Sequence, residues 1–343
     1  GNRLDIEAAI RRLKTIEDYK DSKELIARYE AEIAAIDKKM ADKAKVRKRI
    51  IGIFSSIAAL CVVGALIFNF VIIPNKKLNN AEKLINEGKY EEAYVILSEL
   101  GKFEAIADSK YNRGCEMIEN GNVNGAYMLL ADLHYKDSEE KIAAISTQVT
   151  PQIRIKCAKI DDTVEFGNYH GAIEWLVLDK QDGKALLISK YCLDSKPYNE
   201  EWWGVTWDTC TLRQWLNGEF INETFTEEEK ALICDTYLQN PDNPEYGTDG
   251  GDGTTDKMFL LSIDEANTYF SNDEARKAGA TDYAKKNGAK LYENMAWWWL
   301  RSPGNYSFNA AGVYRDGAVD CSGGFVDIVS SGVRPAFWAD LQS

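Results

Sequence analysis

The chain has 343 residues, which is room for two or three domains at the usual size of about 100–200 residues each. Its 54 Asp and Glu outnumber its 41 Lys and Arg, and a net charge of −13 argues against a general nucleic-acid-binding protein, because phosphate affinity needs concentrated basic side chains. The 28% of charged and 11% of aromatic residues exclude both a wholly disordered chain and a polytopic membrane protein.

The N-terminal segment, residues 1–49, has the composition of a helical hairpin. It is rich in Ala, Glu, Lys, Ile and Leu, and it contains no Pro and no Gly after the first position. Apolar residues recur at helical spacing in 4–16 and again in 25–36. The predicted turn lies at 18–22, with Ser22 as a candidate N-cap of the second helix.

The next segment, residues 50–73, is a run of 24 residues without a charged side chain. A helix of this length crosses the hydrocarbon core, about 30 Å thick, with some tilt. A buried helix of a soluble protein usually keeps a polar stripe, which this run lacks, and a cleaved signal peptide would be shorter and closer to the N-terminus. The run therefore predicts one transmembrane helix.

The charges that flank this helix predict its orientation. Seven basic residues lie within 38–49, whereas Lys76 and Lys77 are the basic residues close behind the apolar run. The positive-inside rule places residues 1–49 in the cytoplasm and the chain after Pro74 outside the cell.

Residues 74–150 contain a weak internal repeat. The sequence Tyr-Lys-Asp-Ser at 19–22, before this segment, recurs at 135–138, each time before an amphipathic helix, and residues 101–117 are a degenerate third copy with Ala-Asp-Ser at 107–109 as the corresponding turn. Residues 79–97 resemble the first helix of a tetratricopeptide-like pair. We expect a tetratricopeptide-like helical stalk that acts as a spacer, with a peptide-binding groove as the alternative.

Residues 151–343 differ in texture, because Gly, Trp, Tyr, Asn and Asp become frequent and helical periodicity fades. The predicted strands lie at 153–160, 163–166, 173–179, 184–189, 257–262 and 332–338. The predicted helices lie at 211–217, 226–234, 263–269 and 273–278. Thr226 followed by Glu229 is the sequence of a capping box. We expect an α+β domain.

Four motifs occur in a fixed order in this domain. They are Leu212-Arg213-Gln214-Trp215-Leu216-Asn217, Asp256-Lys257-Met258-Phe259-Leu260-Leu261-Ser262, Trp298-Trp299-Leu300-Arg301-Ser302-Pro303-Gly304 and Gly332-Val333-Arg334-Pro335-Ala336-Phe337-Trp338. Together they resemble a bacterial domain family of undefined function with a C-type-lectin-like fold, related to the variable proteins of diversity-generating retroelements and distantly to formylglycine-generating enzymes. The resemblance covers roughly residues 155–340 and implies a C-type-lectin-like fold for residues 151–343.

The segment between the last two motifs, residues 305–331, has the composition of a recognition surface. A spine of Ala, Val and Gly residues suits short strands and turns, and aromatic, Arg and Asp side chains stand between the spine positions. Large rigid side chains on a rigid frame make contacts at a low entropic cost. The candidate ligand-binding residues are Tyr306, Ser307, Phe308, Tyr314, Arg315, Asp316, Asp320, Ser322, Phe325, Asp327 and Ile328.

The types of residue absent from 300–337 favour a diversified segment. Lys, Glu, Gln, Met and Trp do not occur there. Retroelement mutagenesis replaces adenines, and from Asn codons it reaches Tyr, Ser, Phe, Asp, Ile, Gly, Ala, Arg, Val, Cys and Thr but none of these five types. The alternative is an ordinary Gly-rich β region of a relative that is not diversified, and a binding surface is expected in either case.

Catalytic and metal chemistry find little support. The chain has two His, His134 and His170, and seven Cys without a C-x-x-C pair, so neither a His-dependent triad, a zinc site nor a disulfide framework is indicated. The formylglycine-generating enzymes use paired cysteines with a metal, and no matching pair is evident. We expect no catalytic residues and no cofactor.

Two further features have a structural and a functional interpretation. In the Gly-rich acidic loop 242–256, Asp249, Asp252 and Asp256 are weak candidates for calcium ligands, and a solvated surface insertion is the alternative. Six tryptophans at 202, 203, 207 and 297–299 could stack on sugars, but burial is the expected role of most of them.

The sequence therefore predicts a single-pass membrane protein of the cell surface. Its order is a cytoplasmic helical segment (1–49), a transmembrane helix (50–73), a helical stalk (74–150) and a C-type-lectin-like domain (151–343) that binds a protein or glycan ligand outside the cell. The function could be that of a retroelement variable protein. The alternatives are an enzyme of the formylglycine-generating type and a structural or signalling envelope protein whose output is the cytoplasmic hairpin.

Overall fold

A computed structural model describes residues 3–15, 21–87, 89–101 and 107–342, without the side chains of Asp5, Arg49–Leu60, Tyr90 and Glu91. The chain divides into two compact units, Gly1–Lys76 and Lys77–Ser343. Helices and strands are mixed, so the protein is of the mixed α/β class.

The first unit contains two helices that pack on each other, α1 (Arg3–Lys14) and α2 (Ser22–Ile67). Ile6, Ile10 and Ile26 are buried between them. These helices confirm the predicted helical pair. The predicted cap is wrong by one residue, because Asp21 is the N-cap residue and Ser22 is the first residue of α2. Most of the predicted turn at 18–22 lies outside the described residues.

The apolar run lies in helix throughout. Helix α2 is followed by a π-helical turn, Phe68–Ile72, and by α3 (Ile73–Asn86). The side chains of residues 61–72 are all exposed, and Val62 and Phe68 are more than half exposed. Among the described residues, one helical stretch, Cys61–Asn86, is long and apolar enough to cross a membrane. The part of the predicted span at 50–60 is helical, and its side chains lie outside the described residues.

The helices of the second unit enclose a core of their own. They are α3, α4 (Tyr90–Leu100), α5 (Ala107–Glu119), α6 (Val123–Leu130), α7 (Ser138–Ile145) and α8 (Pro151–Cys157). Leu78, Ile85, Leu97 and Leu129 are buried in this core. Helices α5 and α6 approach closely because Gly114 has no side chain, and a Cβ there would lie 2.6 Å from the Leu130 side chain.

The repeated Tyr-Lys-Asp-Ser sequence has a structural role in this core. Ser138 begins α7, is fully buried, and its Oγ accepts a hydrogen bond from the backbone N of Tyr135 at 3.1 Å. The second and third copies contact each other, because the Tyr135 hydroxyl donates to Asp108 at 2.9 Å and the Tyr111 hydroxyl donates to Asp137. The repeat therefore marks the residues that join successive helices.

Residues 158–342 form the mixed region, which carries two larger sheets and two two-stranded sheets. Its strands are β1 (Thr163–Asn168), β2 (Ala172–Gln181), β3 (Lys184–Ser189), β4 (Asp194–Ser195), β5 (Thr236–Leu238), β6 (Thr254–Asp256), β7 (Leu291–Tyr292), β8 (Met295–Ala296), β9 (Trp298–Pro303), β10 (Asn309–Val313), β11 (Val319–Phe325), β12 (Gly332–Val333) and β13 (Ala336–Asp340). One of the larger sheets has the order β1-β2-β3-β13 and is antiparallel throughout. The other has the order β11-β10-β9-β12-β4, in which β12 and β9 are parallel. The two-stranded sheets are β5-β6 and β7-β8.

Short helices and hairpins connect the sheets. The helices are α9 (Thr211–Trp215), α10 (Ile221–Thr224), α11 (Glu227–Leu232), α12 (Ile263–Tyr269), α13 (Asp273–Arg276) and α14 (Asp282–Lys286). The predicted capping box is confirmed at α11, where Thr226 Oγ1 accepts from the backbone N of Glu229 at 3.2 Å and Glu229 Oε2 accepts from the backbone N of Thr226 at 2.9 Å. The helix predicted at 263–269 is confirmed as α12.

Two of the predicted strands are wrong. Residues 153–160 include helix α8, because Pro151 starts a helix whose Ile153 faces the helical core while Ile155 faces the core of the sheets. Because α8 is buried on two sides, its apolar residues do not show the one-sided spacing of a surface helix. Residues 257–262 are extended but pair with a neighbouring strand only through the Phe259–Ala336 bridge.

The predicted strand 332–338 is two strands in different sheets. The chain leaves β12 at Val333, passes Arg334 and Pro335, and enters β13 at Ala336. Proline lacks a backbone N–H, which suits a crossing point between the sheets. The strands predicted at 163–166, 173–179 and 184–189 are confirmed as β1, β2 and β3.

A candidate ligand-binding cleft on the β9–β10–β11 frame

The predicted recognition segment is built on three adjacent strands, β9, β10 and β11. Every residue of β9 and of β10 is buried, so these two strands form a fixed frame. The turn between β10 and β11 is closed by hydrogen bonds from Tyr314 N to Ala318 O at 2.8 Å and from Gly317 N to Tyr314 O at 2.9 Å. Tyr314, Arg315 and Asp316 are exposed on this turn.

The turn is locked against α13. Gly317 has φ +90, and a Cβ there would lie 1.7 Å from the carbonyl oxygen of Asp273, so only glycine fits. The Nε of Arg276, a buried residue, donates to Gly317 O at 2.8 Å. Tyr314 and Arg315 are therefore presented from a rigid backbone.

A cleft of about 510 Å³, here called the large cavity, opens beside this turn. It is lined by Glu274, Lys277, Tyr292, Glu293, Met295, Trp297, Tyr314, Arg315 and Asp316. The wall opposite the turn is the β7–β8 hairpin, whose two turn residues, Glu293 and Asn294, have φ 50 and φ 66. Positive φ at both turn residues is the geometry of a two-residue type I′ hairpin and is uncommon for glutamate.

A second cleft of about 230 Å³, the small cavity, adjoins the first. It is lined by Lys290, Trp297, Arg315, Asp320, Gly324, Ile328, Ser330 and Ser331. Trp297 and Arg315 line both cavities, so the two form one divided binding cleft. The Trp297 ring is fixed, because it packs edge-to-face on Trp299 at 4.6 Å and covers Gly312, where a Cβ would lie 2.1 Å from the ring.

Charges of both signs surround the large cavity. Lys277 Nζ lies 2.6 Å from Glu274 Oε2, and this hydrogen bond raises the pKa of Lys277, with a smaller contribution from the charges of Asp316 and Glu293. Burial, followed by the hydrogen bond and charge of Asp320, raises the pKa of Tyr314. The Tyr314 hydroxyl and the Asp320 carboxylate thus lie close together where the two cavities adjoin.

The opposite end of β10 carries a separate aromatic patch. Tyr306 and Phe308 stack with ring centroids 5.2 Å apart and planes at 14°, and Phe308 and Phe325 stack at 6.0 Å and 23°. Tyr306 is 59% and Phe325 is 57% exposed. These exposed rings form a flat apolar surface about one strand length away from the cleft, since a strand rises about 3.3 Å per residue.

A loop with two exposed tryptophans runs beside this patch. The loop is tied at both ends, because Asn199 N donates to Val326 O at 2.9 Å and Val205 N donates to Ser307 O at 2.9 Å. Trp202 is 69% exposed and its neighbour at 203 is 56% exposed. Burial is predicted for most of the six tryptophans, and the structure buries those at 207, 298 and 299, leaves Trp297 half-buried and exposes these two.

The candidate ligand-binding residues thus fall into two groups. Tyr314, Arg315, Asp316, Asp320 and Ile328 line the cleft. Tyr306, Ser307, Phe308, Phe325 and Asp327 lie at or near the aromatic patch and, except for the half-buried Phe308, are exposed. The remaining residue, Ser322, is half-buried and its Oγ donates to Asp320 Oδ1 at 2.6 Å, which fixes that carboxylate.

The candidate residues predicted from the sequence do not include the wall formed by the β7–β8 hairpin and its neighbours. Glu274, Lys277, Lys290, Tyr292, Glu293 and Met295 were not among the candidates, because they are close to the segment only in the folded chain. An Asn between two short apolar pairs, at 294, is a hairpin signal that could have placed a turn there.

The motif residues that carry the family resemblance build the fold instead of the cleft. Arg301 is buried and its guanidinium makes a bidentate ion pair with Glu265. Arg334 is buried, donates to Ser189 O at 2.8 Å and lies 4.9 Å above the Trp298 ring. Burial lowers the pKa of Arg334 to about 10.

The calcium candidates are not brought together. Asp256 is buried and accepts hydrogen bonds from Arg213 Nε at 2.7 Å, Trp207 Nε1 at 2.9 Å and Thr254 Oγ1 at 2.8 Å, so it anchors the loop internally. Asp249 and Asp252 are exposed. Within the described residues, no group of three or more His, Cys, Asp or Glu side chains could hold a metal ion.

The acidic loop is instead fixed to the recognition segment by one buried residue. Asn243 Nδ2 donates to Pro303 O at 2.7 Å and to Cys321 O at 2.8 Å. Its Oδ1 accepts from the backbone N of Glu245 at 2.9 Å. The loop therefore supports β9 and β11 and is more than a solvated insertion.

The thiols of the mixed region have little nucleophilic character. Burial raises the pKa values of Cys192 and Cys210 to about 12 and, with smaller effects of nearby acids, that of Cys321 to about 11. A thiol that keeps its proton is a poor nucleophile and a poor metal ligand. His170 is exposed and stacks on Tyr283 with ring centroids 3.6 Å apart.

One comparison with known proteins bears on this region. Residues 182–341 match the family described as a domain of unknown function (DUF6273). No curated protein and no solved structure matches the chain. The matched residues include the whole cleft, the aromatic patch and all four motifs.

Proposed function

We propose that this chain is a single-pass membrane protein that binds a protein or glycan ligand outside the cell. The binding domain, residues 151–343, would have a C-type-lectin-like fold and stand on the helical stalk. The observation that carries the proposal is the divided cleft, where exposed side chains of the 305–331 segment meet the fixed ring of Trp297. A rigid frame that presents exposed, chemically diverse side chains is suited to recognition.

The distribution of burial supports a membrane segment at 50–73. Side chains at 61–72 are exposed and apolar all round the helix, a pattern that is unstable in water. Leu78, Ala81 and Ile85, farther along the same apolar stretch, are buried in the helical core. The lipid-exposed part would therefore end before these residues, and the basic cluster at 38–49 favours a cytoplasmic N-terminal side.

The order of motifs and their places in the fold support a C-type-lectin-like domain. The motifs lie in the core that joins both sheets, and β13 pairs with β3 from Ala336 to Asp340, which brings the end of the domain back to its beginning. A diversified surface of the retroelement type is supported by two features of the segment 305–331: several of its aromatic, Arg and Asp side chains are exposed, and Lys, Glu, Gln, Met and Trp do not occur in it. Both remain parts of the proposal.

Topology is tested on intact cells. An epitope fused after Ser343 should be removed by protease added outside, and an epitope fused before Gly1 should be removed only after permeabilisation. The opposite pattern would contradict the orientation, and protection of both epitopes would contradict surface display.

Binding is tested with the full chain in lipid nanodiscs on an array of bacterial and host surface glycans. The double variant Tyr314→Ala/Arg315→Ala should lose the glycans bound by the unchanged protein. The matched control is Tyr237→Ala/Lys286→Ala, which removes an exposed tyrosine and an exposed lysine that do not line the cleft. Equal loss in both variants, or no loss in the first, would contradict the cleft as the binding site.

Diversification is tested at the DNA level. A neighbouring reverse-transcriptase gene and a near-identical template rich in adenine should accompany the segment that encodes 305–334. If a complete locus contains neither, the binding domain is an ordinary relative, and the cleft still stands as its binding site.

A further inference from the structure

The two cavities of the cleft differ in charge. Three carboxylates, those of Glu274, Glu293 and Asp316, line the large cavity with Lys277 and Arg315. The small cavity has the opposite balance, with two cationic side chains against one carboxylate. A ligand that fills both would meet hydrogen-bond acceptors in one cavity and an excess of positive charge in the other.

The positive charge of the small cavity is only half neutralised within the protein, because two cations and one carboxylate line it. Within residues 158–342, Arg213, Arg276, Arg301 and Arg334 all donate hydrogen bonds to carboxylates or carbonyls, whereas the guanidinium of Arg315 has no hydrogen bond and no ion pair. The ammonium group of Lys290 is likewise without an ion pair in this described region. An unpaired guanidinium beside a fixed indole in a concave site is ready to bind an external anion.

Asp320 is the acid that faces these two cations. It is buried, and its Oδ1 already accepts hydrogen bonds from Ser322 Oγ at 2.6 Å and from Gly323 N at 3.0 Å. Its single charge balances one of the two cations. The hydroxyl-bearing residues Ser330 and Ser331 also line this cavity and suit an oxygen-rich anion.

The aromatic and acidic side chains that line the cleft indicate the chemistry of the uncharged part of the ligand. Trp297 is held between the two cavities by Trp299 and Gly312 and offers a ring face to a flat apolar surface such as that of a pyranose. Carboxylates accept hydrogen bonds from sugar hydroxyls, and Glu293 and Asp316 stand on opposite walls of the large cavity. An acidic peptide would instead be repelled by these carboxylates.

We propose that the cleft binds an acidic saccharide, with one sugar ring against Trp297 and its carboxylate between Lys290 and Arg315. This inference rests on the proposed binding function of the same cleft. Hydroxyls of the neighbouring sugar unit donate to the carboxylates of Glu293 and Asp316 in the large cavity. The small cavity is thus an anion subsite that sets specificity.

The test compares two probes that differ in the charge of one carboxylate and in one added methyl group. The disaccharide glucuronosyl-(1→4)-glucose, whose second unit is uncharged as the acidic lining of the large cavity requires, and its methyl ester are titrated calorimetrically into the full chain in nanodiscs of uncharged lipid. We expect the acid to bind at least about tenfold more tightly, as one charge-assisted hydrogen bond would give. Arg315→Gln and Lys290→Gln should each lower the affinity for the acid about tenfold and leave that for the ester unchanged.

Two further variants separate charge from folding. Lys286→Gln removes an exposed positive charge from α14, outside both cavities, and should leave both affinities unchanged. Trp297→Phe keeps an aromatic ring of smaller area and should weaken both probes by a similar factor. Thermal unfolding of each variant checks that the domain is folded.

The outcomes distinguish failure of the anion subsite from failure of the proposed binding function. Equal affinities for acid and ester, or equal loss of both in Arg315→Gln, would overturn the anion subsite while a glycan-binding cleft remains. Failure of both probes, with cleft-dependent binding on the glycan array intact, would overturn the acidic saccharide alone. Failure of both probes and of the array would overturn the inference and the proposed function together.

Discussion

The arginines of the family motifs and the arginine of the β10–β11 turn occupy opposite environments in one domain. Arg301 and Arg334 are 4% and 2% exposed and donate hydrogen bonds to buried acceptors of their own chain. Arg315 lies on an exposed turn with its guanidinium unpaired in the described region. The same side chain therefore builds the fold at two positions and is available for binding at the third.

The contrast shows which residues a family resemblance can identify. Buried arginines need fixed acceptors, because an uncompensated charge in the interior costs several kcal/mol, so their neighbours are fixed with them. Exposed side chains on a rigid frame can change with little effect on the fold. Arg301 and Arg334 accordingly lie in the core and do not line either cavity.

The largest effect is expected at Arg334. Replacing it by Ala removes the hydrogen bonds to Ser189 O and Arg276 O and leaves a cavity below Phe270 and Trp298. The free energy of unfolding should fall by about 4 kcal/mol, since the orphaned carbonyls and the cavity add up, even though removing a buried charge offsets part of the loss. Urea unfolding of the full chain in detergent, followed by tryptophan fluorescence, measures it. A loss below about 1 kcal/mol would place Arg334 among the dispensable residues.

The ion pair of Arg301 should give the next largest effect. Glu265→Gln keeps the shape of the side chain and acceptors for the backbone of Ser262, but it leaves the Arg301 charge without a counter-charge. We expect a loss of about 3 kcal/mol in the same unfolding measurement. The matched control is Glu274→Gln, which removes an exposed partner of Lys277 and should cost no more than about 0.5 kcal/mol. Similar losses of unfolding free energy in the two variants would contradict the distinction between the buried ion pair of Arg301 and the exposed ion pair of Lys277.

Substitution of Gly317 should destabilise the turn that carries Arg315, whereas substitution of the adjacent turn residues should have little effect on stability. Gly317→Ala forces a Cβ toward the Asp273 carbonyl at φ +90, so we expect about 2 kcal/mol of destabilisation. Ala318→Gly in the same turn is the control and should cost less than about 1 kcal/mol. Hydrogen exchange of the Tyr314 and Gly317 amides reports whether the loss is local to the hairpin.

Buried thiols should make the stability of the mixed region, residues 158–342, decrease at alkaline pH. Burial raises the pKa of Cys192 to about 12 from an ordinary 9.0, so the unfolded chain releases this proton first and stability falls as pH rises above 9. Each such thiol contributes a loss of about 1 kcal/mol between pH 9 and pH 10. Cys192→Ala should therefore reduce the slope of unfolding free energy against pH by that amount. An unchanged slope would contradict the burial of this thiol.

The sequence predicted most of the elements whose pattern is local. Strands β1 to β3, α12 and the capping box of α11 follow from alternation, helical spacing and Thr226 with Glu229. The strand predicted at 153–160 failed because residues of α8 are buried against two different cores, and a helix buried on both sides loses its polar stripe. Local pattern does not distinguish that case from a buried strand.

The cleft was predictable on one side. The exposed turn at 314–316 followed from composition, whereas Tyr292, Glu293 and Lys290 come from a hairpin that meets the turn only through tertiary packing. The role of Trp297 depends on the glycine at 312, which leaves room for its ring. Such pairings between distant positions cannot be deduced from one sequence, because each residue alone has an equally good structural explanation.

The smallest effect on stability should accompany the loss of binding. Arg315→Ala removes an exposed side chain without hydrogen bonds, so the free energy of unfolding should change by no more than about 0.5 kcal/mol. Binding of glycans on the array should nevertheless weaken, because Arg315 lines both cavities. If Arg315→Ala instead destabilises the domain as much as Arg334→Ala, the guanidinium is a structural anchor and the cleft has no free cation to offer a ligand. A variant that is stable but no longer binds would separate the structural role of arginine from its binding role. The guanidinium of Arg315 would then contact the ligand and contribute nothing to the stability of the frame.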